Sequence, residues 1–147
     1  MYIFLDEFHV PCFDQELPRE SREIIRDKVT LIFQACFPTL IVIKASNNPI
    51  FPNPAIRRFE GTCVWNIIFN IRRGTAEENL SCDQMKEMFK MYQPPNCELY
   101  AAVPLEGQLW HTSYGIRDCE CFAYNPFLMQ RRKMREISNL FSGFTLQ

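Results

Sequence analysis

Seven cysteines and two histidines have the widest chemical repertoire in this chain of 147 residues. Cys119-Glu120-Cys121 places two thiols two residues apart, with Cys97 and His111 upstream of them. Zinc takes nitrogen and sulfur ligands in a tetrahedron, usually from cysteine pairs with longer spacers. Cys97, His111, Cys119 and Cys121 could therefore serve as a zinc set only if a hairpin folds all four to one end. His9 and Cys12 make a second close pair. Free cysteine is among the most buried residue types, so inert core thiols are the plainer expectation. No cofactor is expected, and zinc is the one metal these residue types would admit.

A thiol nucleophile needs a base within reach and a group that orients the base. Cys12 or Cys97 with His111 and Asp118 can be written as such a triplet. A cysteine protease sets its thiol at a helix start, whereas Cys12 precedes the first expected helix by six residues. Carboxylates gather only around Glu16–Glu23 and Glu77-Glu78, in segments that read as solvated. Five glycines, with no G-x-G-x-x-G and no G-K-[ST], leave no phosphate-cradling loop. The chain is read as non-enzymatic. Arg131, Arg132, Lys133 and Arg135 form the densest basic cluster. They suit a phosphate or an acidic partner, and equally the solvated face of an amphipathic helix.

Composition sets the frame for these residues. An apolar fraction of 47% with 22% charged residues is globular, and thirteen Phe supply aromatic area to bury. The formal net charge of −1 points to neither nucleic acid nor a cationic partner by bulk charge. The apolar opening Met1–Leu5 meets Asp6 and Glu7 at once, so it reads neither as a secretory signal nor as a membrane span. An odd number of cysteines without a framework suggests a reducing, intracellular compartment, cytoplasm or nucleus.

The elements that would position these residues follow from periodicity. Tyr2–Phe8 reads as a strand. Pro18 opens a helix whose stripe is Ile25, Val29, Ile32, Phe33 and Cys36, stopped before Pro38. Thr39–Ala45 and Cys63–Ile71 read as strands, the second apolar enough on both faces to be central. Between them, Ser46–Arg58 carries three Pro and three Asn and reads as loop. Ser81 and Gln84 make a capping box ahead of Met85, Met88, Phe89 and Tyr92. Cys97–Val103 and Trp110–Ile116 alternate around Glu106-Gly107 and read as a hairpin. Asn125-Pro126 opens a last helix through Met134, Ile137, Leu140 and Phe141. The expectation is one α+β domain over residues 1–147, a mainly antiparallel sheet with about three helices in the order β-α-β-β-α-β-β-α.

Phe4-x-x-Glu7-Phe8-x-Val10-Pro11, followed by Asp14, Leu17, Arg19-Glu20 and Ile24 or Ile25, resembles the thirty-four-kilodalton early-region-four proteins of adenoviruses. Cys63-Val64-Trp65 and the hairpin Cys97–Ile116 can be laid on the same family. This chain is shorter and lacks that family's dense His and Cys clusters, so the resemblance brings no metal site with it. It implies a viral adaptor that binds the elongin B–elongin C pair and recruits host proteins to a cullin-RING ubiquitin ligase. The family's elongin-binding box would fall on Thr30, Leu31 and Ala35, with Leu40 nearby. The alternative is a small nucleic-acid-binding domain using Arg131–Arg135. No membrane partner is expected.

Overall fold

The computed structural model describes residues 18–47 and 62–121. The expected strand Tyr2–Phe8, most of the Ser46–Arg58 loop and the C-terminal helix lie outside them. Helix α1 runs Arg19–Cys36 behind Pro18, which stands at the N-cap rather than at the first helical position. Proline serves there because an N-cap needs no N–H of its own. Ile25, Val29 and Phe33 are buried at four-residue spacing, and Phe37 continues the row past the helix end. Ile32, expected in this stripe, is 47% exposed. The row of every fourth residue already fills the contact with the sheet, and Ile32 sits one helical step round from it.

Strand β1 spans Leu40–Ser46. The Gln34 amide joins it to α1, donating to the carbonyls of Phe37 and Leu40 and accepting from Val42 N–H at 2.8 Å. Strand β2, Thr62–Ile71, is mostly buried on both faces and lies inside the sheet, as its composition predicts. A 3-10 turn at Ala76–Asn79 leads to helix α2, Cys82–Met91. The capping box forms: Ser81 accepts from Gln84 N–H at 3.2 Å while the Gln84 side chain accepts from Ser81 N–H at 2.9 Å. Strands β3, Cys97–Pro104, and β4, Leu109–Arg117, complete the hairpin. Gly107 turns it at φ 69°, a left-handed value that glycine adopts without a Cβ penalty.

All pairings are antiparallel and the strand order is β1-β2-β4-β3. The described chain thus passes twice through helix, strand, strand. In each pass the second strand is central and the first is an edge. Each helix packs beside its own edge strand, α1 against β1 and α2 against β3. Both edges carry a register shift, at Val42/Lys44 and at Leu99/Ala101, which blunts further pairing.

The core lies between the helices and one sheet face. Trp65, Ile67 and Phe69 of β2 and Trp110, Thr112 and Tyr114 of β4 supply that face. Phe33 meets Tyr114 at 4.7 Å between ring centroids, and Phe89 meets Trp110 at 5.7 Å. Aromatic pairs at these separations add to the stabilisation from buried area. Among the described residues no helix is long and apolar enough to cross a membrane.

Candidate functional site

Cys63 is the second residue of β2 and faces the core opposite Ile116 of β4. Strand β4 ends at Arg117, and Asp118 then takes φ 54°. Asp tolerates this left-handed geometry better than most residues because its side chain is short and polar. The turn brings the chain back across the end of the sheet. Cys119 and Cys121 enter the interior while Glu120 between them stays outside. Its carboxylate meets Lys28 Nζ of α1 at 3.2 Å. That pair is half-exposed and worth little energetically, but it docks the segment against the helix.

Three buried cysteine sulfurs converge here, Cys119 as a free thiol and Cys63 and Cys121 as disulfide-bonded residues. The sulfurs of Cys63, Cys119 and Cys121 all lie within 4.8 Å of one another. Cys63 and Cys121 place theirs 3.0 Å apart. Trp65, two residues beyond Cys63 on the same strand face, donates its indole N–H to Cys119 Sγ at 3.3 Å. The backbone groups of Glu120 and Cys121 also hydrogen-bond that sulfur. Burial nonetheless pushes the Cys119 thiol up, because desolvation opposes the thiolate more than these bonds favour it.

Cys97 flanks Ile116 from the β3 side. Burial first, and then the neighbouring Cys119 and Cys36, push its thiol up to about 12. Of the expected zinc set, the fold therefore gathers Cys119 and Cys121, keeps Cys97 nearby and leaves His111 out. His111 faces the other side of the sheet, between Ile68 and Val103. Successive strand residues point to opposite faces, so His111 cannot join thiols that share a face with Ile116. The Cys97, His111 and Asp118 triplet is dispersed for the same reason. Burial pushes the His111 imidazole below its ordinary value.

The place of Cys63 beside Cys119 and Cys121 is invisible to sequence reasoning, which sees in it only an apolar position of a buried strand. Its signal is the pairing of β2 with β4, a long-range fact. The residues expected to form an elongin box divide as well. Leu31 and Ala35 are exposed, Thr30 is half-buried with its hydroxyl donating to Arg26 O at 2.7 Å, and Leu40 is fully buried. Arg131, Arg132, Lys133 and Arg135 lie outside the described residues.

A free thiol buried beside disulfide-bonded cysteines has the partners for thiol–disulfide exchange, and sulfur offers nothing to a hard cation. The described fold is thus an α+β layer of two helices on a four-stranded antiparallel sheet, with a cluster of three cysteines at one end. Protein-family models, curated proteins and solved structures give no match to the chain.

Proposed function

We propose that this chain is a non-enzymatic, viral-type intracellular adaptor that acts by protein–protein contact. Its partner in this reading is the elongin B–elongin C pair, through which host proteins are brought to a cullin ubiquitin ligase. The supporting observation is the outer face of α1. A helix on a sheet needs one apolar stripe, and Ile25, Val29 and Phe33 supply it. Ile24, Leu31 and Ala35 form a second row on the opposite side, with Leu31 69% exposed. The core does not use these side chains. Leu31 stands where an anchor must be free to enter a partner's pocket, whereas Leu40, buried under the helices, belongs to the fold.

Calorimetric titration of the full chain with purified elongin B–elongin C tests the reading. Binding is expected for the parent. Leu31→Ala should weaken it by about 30-fold or more, the loss of a hot spot worth about 2 kcal/mol, while melting stays near the parent's. No binding by the parent, or unchanged binding by Leu31→Ala, overturns the proposal.

A further inference from the structure

We propose that Cys119 is an exchange thiol for the Cys63–Cys121 disulfide, moving the crosslink from residue 121 to residue 119 and releasing Cys121. This inference stands independently of the adaptor reading. A static crosslink needs two cysteines, and Cys63 and Cys121 already form one. The fold adds a third, Cys119, as a free thiol buried in the same cluster. All three sulfurs lie within 4.8 Å of one another, so a side-chain rotation brings Cys119 Sγ against the disulfide.

The surroundings of Cys119 suit an attacking sulfur. A neutral thiol sulfur is a weak acceptor. Yet the Trp65 indole N–H donates to it at 3.3 Å, and backbone groups of Glu120 and Cys121 also hydrogen-bond it. Those donors favour the thiolate, which is the species that attacks a disulfide. Burial works against them and keeps the resting group a thiol. Proximity compensates: a reactant held beside its target and aligned with it acts as if present at about 10⁵ M or more. No outside reagent has to enter the interior for the exchange to occur.

The step conserves atoms, charge and oxidation level. Cys119 loses its proton, and the thiolate attacks Cys63 Sγ. The Cys63–Cys121 bond breaks, and Cys121 leaves as a thiolate that takes up the proton. One disulfide and one thiol are present before and after. Cys63 is the sulfur attacked because a Cys119–Cys121 bond would close a ring around Glu120 alone, too tight for relaxed disulfide geometry. A Cys63–Cys119 bond still ties the start of β2 to the segment after β4, next to the paired residues Thr62↔Arg117. Glu120, which docks on Lys28 of α1, passes from inside the disulfide-closed loop to outside it. Exchange thus resets the covalent restraint on the segment that meets α1.

The test uses the full chain with its disulfide formed, held under native conditions at pH 8 with iodoacetamide for hours. Aliquots are acidified to stop exchange, then denatured, digested with pepsin and mapped by mass spectrometry. Alkylated Cys121 should accumulate together with a Cys63–Cys119 peptide pair. Cys119→Ser should abolish labelling of Cys121, whereas Cys82→Ser on the exposed start of α2 should leave its rate unchanged. Trp65→Phe keeps an aromatic ring without the indole N–H and should slow the labelling by about 10-fold, the loss of one hydrogen bond to a charged sulfur. In Cys121→Ser, glutathione disulfide should oxidise the remaining pair to Cys63–Cys119. An intact Cys63–Cys121 pair with Cys121 unlabelled in the parent overturns the proposal. So does a Cys119–Cys121 peptide pair, or labelling of Cys121 that persists in Cys119→Ser.

Discussion

At the residue scale, Trp65 and the thiols show how burial sets reactivity. Only the thiolate attacks an alkylating reagent, so a thiol raised by desolvation is protected twice, by access and by ionisation. Among the described thiols, brief iodoacetamide treatment of the native chain at pH 8 should label the exposed Cys82. Cys97 and Cys119 should be spared until denaturant is added, as peptide mass spectrometry would show. His111 makes a complementary prediction. Its folded pKa lies below the unfolded one, so the unfolded chain binds more protons between the two values. The His111 contribution is fully retained above the unfolded histidine pKa of about 6.5 and is lost as pH falls from there through the folded value. Denaturant midpoints at pH 7 and pH 5 should reveal this loss, and His111→Gln should shrink the difference. An unchanged difference would assign the acid sensitivity to other groups.

At the element scale, α1 has two apolar sides with different tasks. Phe33 is fully buried and touches Phe69 and Tyr114, so Phe33→Ala should cost about 3–5 kcal/mol of stability. Leu31→Ala, on the opposite side, should change stability by about 0.5 kcal/mol or less. Chemical denaturation of the two variants measures the contrast directly. Helix α2 depends on its start: Ser81→Ala removes the acceptor for Gln84 N–H and should cost about 1 kcal/mol. Ser81→Asp, which keeps an acceptor at the cap, should retain most of that stability.

At the scale of the whole molecule, the two helix–strand–strand passes meet along β2 and β4, paired from Thr62↔Arg117 to Asn70↔Leu109. This seam is also polar in part. Ser113 Oγ donates to Asn66 Oδ1 at 2.9 Å and Thr112 Oγ1 to Ile67 O at 3.1 Å, both buried. Ser113→Ala should therefore cost about 1–3 kcal/mol. Because the seam joins both passes, the loss should appear as one shifted transition rather than as separate melting of one half, checked by circular dichroism alongside tryptophan fluorescence. Two transitions would show that the passes unfold independently.

Much of the architecture is legible in local residue patterns. The Ser81–Gln84 box, the Glu106-Gly107 turn and the doubly apolar β2 are each written in a few adjacent positions, because caps, turns and strand faces are governed by near neighbours. Which cysteines meet is not local. Cys119-Glu120-Cys121 announces a pair, but Cys63 becomes the third member only through antiparallel pairing of β2 with β4 and the left-handed turn at Asp118. Periodicity likewise puts Ile32 in the core stripe without showing that Phe33 and Phe37 fill the available sheet contact and leave Ile32 exposed. It puts His111 upstream of the cysteines without showing that the strand turns its imidazole to the opposite face. Sequence alone determined the kinds of element and their apolar faces. Strand order and register, which depend on contacts across the chain, decided which side chains share a site.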